Sequence, residues 1–248
     1  TNPARGQPGH DKLAHVSPIL DLLREKCVKN YEPHCNTSID EAMVAFRGRL
    51  GWRQYVPAKP NKYGMKVWVR ADPANGYWKD FQVYTGRSSN GAEKGLGARV
   101  IKDLTRGITV VHHIVNCDSF FSSPELFVDL LDDNIYARGT VRQNRRGMPG
   151  AVAFCDKDLK VQGDMVVMQK ADLVGVKWRD KRVVTLVSTA DAATKTTEVM
   201  RKKKDGTQAS VPSHISISEY NVNMNGVDHA DQLRNAYPTF RKSRKWWH

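Results

Sequence analysis

The chain has 248 residues, and its 39 Lys plus Arg against 26 Asp plus Glu leave a formal net charge of +13. Such an excess of cations points to a polyanionic partner, while a hydrophobic share of 40% is enough to bury a core and excludes a charged, unstructured tail. No run approaches the roughly 18 apolar residues of a membrane span and the opening TNPARGQPGHDK has no apolar signal region, so no membrane partner is expected.

Residues 1–10 are polar and rich in Pro and Gly and are expected to be a disordered lead-in. From 17 to 29, Ile19, Leu20, Leu22, Leu23 and Cys27 have the spacing of an amphipathic helix. The pattern then turns to strand in TSIDEAMVAF (37–46), GMKVWVRADP (64–73) and WKDFQVYTG (78–86), the last two joined by the turn-forming DPANG. AEKGLGARVIKDLTRG places Leu96, Val100, Ile101 and Leu104 on one helical face despite two internal glycines. TVVHHIVNC reads as a strand covered on both faces that stops at Asp118. SPELFVDLLDD supplies a helix with Ser122 or Ser123 as N-cap, Pro124 at its first position and Leu126, Phe127, Leu130 and Leu131 as its buried stripe; IYARGTV is the next strand. This order, β-β-β-α-β-α-β, is that of an α/β ribonuclease H-like mixed sheet. Short strands at FCDKDLKV, DMVVMQKAD, VGVKWRD and KRVVTLVST, with the charged loop RKKKDG, read as a β-rich inserted domain. The expected division is a lead-in and helix at 1–36, the first part of the core at 37–141, the insertion at 142–218, and a final acidic helix with a basic and aromatic end at 219–248.

Three phrases carry the chemistry: TSIDEAMVAFRGR at 37–49, VNCDSFFSS at 115–123 and NGVDHADQ at 225–232. Each sets an aspartate at an element boundary or strand from which the three could meet on one metal site. Phosphodiester cleavage needs a hydroxyl activated, a leaving oxygen stabilised and phosphate charge offset, which two divalent ions roughly 3.5–4 Å apart can do. Hard oxygen donors favour Mg²⁺, with Mn²⁺ as substitute. Asp40, Asp118 and Asp228 are the expected catalytic ligands, and Asp231, three residues along the same helix, is a weaker fourth.

Arg47, Arg49, Lys59, Lys62 and Lys66 alternate with Tyr55, Tyr63 and Trp68, a mixture suited to phosphates and to stacking on bases, or equally to a solvated sheet edge over core aromatics. Arg142, Arg145 and Arg146 form a second basic group. Arg241, Lys242, Arg244 and Lys245 stand beside Trp246 and Trp247 in RKSRKWW, where the cations could hold phosphates while Trp246 stacks on an unpaired base or packs against protein. RKKK at 201–204 reads as an exposed loop, and either cluster could act as a nuclear address. His112 and His113 lie in an apolar strand and read as core or supporting residues. Cys27, Cys35, Cys117 and Cys155 form no CxxC pair, so neither a disulfide framework nor a zinc ribbon is expected.

The phrases SIDEAMVAFRGR, PAKPNKYGMK, YTGR, CDSFFSS, GTVRQNRR, NGVDHADQ and RKSRKWW, in this order from about residue 38 to 247, resemble the piggyBac-type transposases. The resemblance implies a cut-and-paste DNA transposase whose three catalytic aspartates fall on Asp40, Asp118 and Asp228, with Asp231 nearby and GTVRQNRR in a target-DNA contact region. It further implies a double-stranded DNA partner (transposon ends and TTAA targets) and hairpin-ended intermediates; a nuclear location is expected from the basic clusters, and a homodimer is left open. CDSFF stands where the family more often has a CDNWF-like form, and NGVD where it has GGVD; both changes lie beside the acids. Because the family continues into further helices and a cysteine-rich zinc module, a fragment or a shortened, domesticated descendant is expected. A DNA-binding protein that no longer cuts is the alternative.

Overall fold

The computed structural model describes residues 2–4, 7, 9–87, 93–108, 113–150, 154–203 and 205–237. Where described, the lead-in expected to be disordered is a series of turns: Asn2 and Asp11 exchange two hydrogen bonds of 2.8 Å, and Lys12 Nζ donates to Thr85 O. Helix α1 (Ser17–Asn30) follows. Its apolar residues are less covered than the spacing suggests, with Ile19, Leu22 and Leu23 at least half exposed. Polar contacts hold it instead: Arg24 grips the Asp80 carboxylate through two nitrogens, and Lys79 Nζ donates to Val28 O at 2.8 Å.

The core elements are β1 (Asn36–Ala45), the short β2 (Gln54–Tyr55), β3 (Tyr63–Ala71), β4 (Trp78–Tyr84), α2 (Leu96–Thr105), β5 (Ile114–Cys117), α3 (Pro124–Asp132) and β6 (Tyr136–Thr140). Apart from β2, this is the expected β-β-β-α-β-α-β order. Residues 109–112, with His112, lie outside the described residues, so the strand read there is seen only from Ile114. Strands β1, β3 and β4 form an antiparallel meander, while β5 lies parallel to β1 and β6 parallel to β5. Parallel neighbours need a crossover, which α2 and α3 provide.

Each helix packs where its apolar stripe dictates. Val100, Ile101 and Leu104 of α2 and Leu126, Phe127 and Leu130 of α3 are buried against Ile39, Trp68, Val115 and Cys117 on one face of the sheet. At roughly 1.5–3 kcal/mol for each large apolar side chain removed from water, this layer is the main hydrophobic contribution to the core. Ser123 caps α3, its side chain accepting from Leu126 N at 3.2 Å. The opposite face carries Ala42, Val67, Val69 and Ala71, which meet Val227 of the final helix.

The 142–218 block is β-rich, and its strands extend the core sheet. β7 (Met165–Lys170), β8 (Leu173–Arg179) and β9 (Val183–Ser188) are successive antiparallel neighbours, and β9 pairs with β6 through Arg138↔Ser188, Gly139↔Val187 and Thr140↔Leu186. β10 (Thr196–Lys202) and β11 (Gln208–His214) form a separate two-stranded sheet. The chain then enters α4 (Ile215–Asn223) and α5 (Gly226–Ala236). No described helix is long and apolar enough to cross a membrane, and none of the four cysteines, all among the described residues, is in a disulfide.

Candidate active site

The parallel pairing of β1 and β5 fixes the centre of the site. Its last matched pair is Ile39↔Cys117, so Asp40 and Asp118 are the next residues on neighbouring strands, their backbones roughly 5 Å apart. Asp118 ends its strand in a tight turn: Phe120 N donates to its carboxylate at 2.9 Å, and Phe121 N and Ser122 N donate to its carbonyl. Two features hold this turn. The Arg145 guanidinium donates to the carbonyls of Ser119 and Phe120. Gly97 of α2 lies so close that a Cβ there would stand 2.7 Å from Phe120 O. The glycine that weakens α2 by propensity is therefore what lets the helix reach the loop.

Helix α5 brings the other two acids. Val227 and Ala230 face the sheet, and Arg234 donates to Met43 O of β1 at 2.8 Å. Its first residue, Gly226, lies against β1 and the 72–77 turn, where a Cβ would meet Ser38 Oγ at 2.3 Å and Pro73 Cα at 3.0 Å. Asp228, 57% exposed, accepts from Lys59 Nζ at 3.0 Å, while the lysine itself is only 15% exposed. Asp231 pairs with Arg234 at 3.1 Å.

The electrostatics are those of a carboxylate cluster short of cations. Burial, and then the charge of Glu41, push the Asp40 carboxyl up to about 7, against the opposing pull of Lys59. Asp118 and Asp231 are also raised, chiefly by burial. Burial works to lower the Lys59 ammonium, but Asp40, Asp228 and Glu41 together raise it. Hard, partly desolvated oxygens on adjacent strands suit a divalent cation, so the donor chemistry fits the expected ions. Convergence is nevertheless partial: no three His, Cys, Asp or Glu side chains among the described residues gather closely enough to hold a metal. Asp40 and Asp118 follow the last matched pair of β1 and β5, whereas Asp228 bonds Lys59, whose charge also acts on Asp40.

Other residues singled out in the sequence find different first partners. Lys66 reaches Glu41 at 3.4 Å and lies over the Phe120 ring at 5.2 Å. Arg47, Arg49, Lys62, Arg142 and Arg146 are exposed and suited to phosphates. Trp68 is buried in the core and cannot stack on a base, while Tyr55 and Tyr63 are exposed and pack on one another at 4.7 Å. His113 is buried, with its pKa lowered first by burial, and faces Glu32 at 3.8 Å in a supporting place. Arg241, Lys242, Arg244, Lys245 and Trp246 lie outside the described residues.

Two residues of the site escaped sequence analysis. Glu41 adds its charge to both Asp40 and Asp118; the adjacent Asp-Glu pair was its only signal, and strand alternation argues against reading both. Tyr220 of α4 has a largely buried hydroxyl 3.4 Å from Thr140 Oγ1, its pKa raised by burial and further by Cys117, Asp118 and Asp40. Behind β5, Arg138 holds Asp191 through two 2.8 Å bonds and reaches Asn116 Oδ1 at 3.1 Å. This buried network fixes the strand that ends at Asp118.

Comparison with known proteins places these features. A family model described as Transposase IS4 matches residues 1–248. PiggyBac transposable element-derived protein 3 of Homo sapiens is 31% identical over 249 residues, which cover 96% of this chain and 41% of the relative. PiggyBac transposable element-derived protein 2 of Homo sapiens is 26% identical over 255 residues, with the same coverage. A cryo-EM structure of a piggyBac transposase synaptic complex with hairpin DNA superposes with a TM-score of 0.77 at 28% identity, covering 93% of this chain and 46% of that one. The chain spans less than half the length of each of these proteins.

Proposed function

The chain belongs to the Transposase IS4 family, and from that premise we propose that it is the catalytic core of a piggyBac-type DNA transposase that cleaves and joins DNA strands with divalent metal ions. The observation that carries this is the register of the parallel strands β1 and β5, which sets Asp40 within β1 and Asp118 just past the end of β5 beside one another, together with the 3.0 Å bond from Lys59 to Asp228. Asp40, Asp118 and Asp228 would hold Mg²⁺ or Mn²⁺, two ions in number, with Asp231 as a further carboxylate. Bound there, the ions supply hydroxyl activation, stabilisation of the leaving oxygen and charge neutralisation.

The chain's own residues do the positioning. The amides of Phe120 and Phe121 and the Arg145 guanidinium fix the turn that presents Asp118. Arg142 and Arg146, exposed on the neighbouring 141–150 loop, neutralise DNA phosphates, as do Arg47, Arg49 and Lys62 on the β1–β3 side. By resemblance, the substrates are transposon ends and TTAA targets, passing through hairpin ends; from the basic clusters, the setting is the nucleus. The test is Asp118→Asn assayed on DNA duplexes in Mg²⁺ and Mn²⁺. Cleavage should disappear while DNA affinity stays equal or rises, since a repelling charge is gone; an Asn variant that still cuts sinks the assignment.

One observation favours a second reading, a DNA-binding protein that does not cut: among the described residues no three acids gather at metal-holding distance. Its marks are DNA affinity that falls steeply with salt and no nicking in either metal.

A further inference from the structure

Lys59 does not have the surroundings of a surface lysine. It lies in the 56–62 loop between β2 and β3, whose ends are closed by a Val56 N to Lys62 O bond of 2.9 Å and by the Tyr55–Tyr63 ring contact. Pro57 and Pro60 flank it and fix the backbone on either side. The ammonium is therefore placed by the fold, only 15% exposed, and 3.0 Å from Asp228 on a helix 169 residues away. Asp40 and Glu41 of β1 also bear on it electrostatically. Between the loop and α5 is a cavity of about 460 Å³ lined by Lys59, Asp228 and Asp231. At about 30 Å³ per water, it has room for an ion with its hydration shell.

We propose that Lys59 is a positioning residue for the metal site: its ammonium is the resident counter-cation that bonds Asp228 while facing the charge of β1 in the metal-free protein, and it is displaced when a divalent cation enters. The inference rests on the metal-dependent reading of the site. A cation that bonds one acid of a cluster while sharing the field of two more does part of what a metal would do, keeping mutually repelling carboxylates together. The same charge opposes a divalent ion at short range, so entry of metal requires the lysine to withdraw. Once withdrawn from Asp228, the ammonium remains at the mouth of the cavity, where a DNA phosphate can take the carboxylate's place.

The test is Mn²⁺ binding measured by calorimetry on the chain, Lys59→Met and Lys59→Arg, with melting temperatures taken with and without Mn²⁺. Removing a neighbouring positive charge should tighten Mn²⁺ binding by about tenfold or more in Lys59→Met, and Lys59→Arg should restore the weaker value. Without metal, Lys59→Met should melt lower than the chain, and Mn²⁺ should abolish the gap. A lysine that only braces the loop would instead give unchanged or weaker Mn²⁺ binding in Lys59→Met, and that result overturns the inference while leaving the metal reading intact. Absence of Mn²⁺ binding from both the chain and Lys59→Met overturns both; binding by Lys59→Met alone supports both.

Discussion

Gly226→Ala is the change that most directly tests how α5 is placed. A methyl at this position would stand 2.3 Å from Ser38 Oγ and 3.0 Å from Pro73 Cα, where unstrained contacts are nearer 3.5–4 Å. Ser38 is fully buried and cannot swing aside, so the start of the helix must retreat by roughly 1 Å. Overpacking of this kind costs about 1–3 kcal/mol, and for a domain of this size each kcal/mol lowers Tm by about 2–4 °C. Asp228 is two residues further along and moves with the helix. A site that needs its groups placed within about 0.5 Å should then lose roughly tenfold in Mn²⁺ affinity. Thermal melts and Mn²⁺ calorimetry measure the two effects together. Ser38→Ala added to Gly226→Ala removes the shortest contact and should recover part of each. If Gly226→Ala melts with the parent chain and binds Mn²⁺ equally well, the close approach of α5 to β1 does not set the position of Asp228.

Three further outcomes follow from named groups. Asp191→Asn leaves the Arg138 guanidinium, which is 2% exposed, without its counter-charge, and chemical denaturation should show a loss of roughly 3–5 kcal/mol. Burial raises the Asp191 carboxyl but the bonds and charge of Arg138 outweigh it, so its folded pKa lies below the unfolded one. The stability this pair adds is present above about pH 4 and lost as pH falls through the folded value, and Asp191→Asn should flatten that acid limb. Asp40 has the opposite sign. With its folded pKa near 7, it favours the metal-free fold most below about pH 4 and costs on the order of 4 kcal/mol by the time pH has risen through 7. The stability difference between the chain and Asp40→Asn should therefore grow across that window and shrink when Mn²⁺ is present; a flat difference would refute it. Arg145→Met removes the donors to Ser119 and Phe120 carbonyls, and hydrogen exchange at the Phe120 and Phe121 amides should quicken by about tenfold or more with the fold retained.

The sequence made the order of elements plain because each has a period that burial enforces. The stripe of α3 and its Ser123 cap, and the largely β-branched run into Cys117, have few other solutions. What it could not show was contact between distant elements. Alternation in a strand argues against reading Asp40 and Glu41 together, yet Glu41 acts on the site through space. Gly97 and Gly226 read as weak points in helices, and only the proximity of Phe120 O and Ser38 Oγ reveals why no side chain fits. Lys59 and Arg145 were legible as cations, with phosphates as their natural partners; that one bonds a carboxylate and the other a pair of carbonyls depends on chain separations of 169 and about 25 residues. The block at 142–218 was legible as strands, but its union with the core sheet rests on three residue pairs between β6 and β9 that no local pattern encodes.

These long-range contacts share one physical task, which is to hold carboxylates in place despite their burial and mutual repulsion. Lost hydration first, and repulsion after it, push the acids apart or toward protonation, in keeping with the raised Asp40, Asp118 and Asp231 carboxyls. A site made of flexible loops would relax by turning the acids outward to water. Here Asp40 is fixed by its pairing with Val69 of β3 next to the Ile39–Cys117 pair, Asp118 by its own turn, by Arg145 and by the Arg138–Asn116 bond behind it, and α5 by the tight seating of Gly226. The most exposed of these acids is Asp228, and it is the one a lysine holds. On the proposed reading, the charge balance of the site is thus adjustable at one point, where Lys59 and a divalent cation would compete for the same carboxylate, and rigid elsewhere.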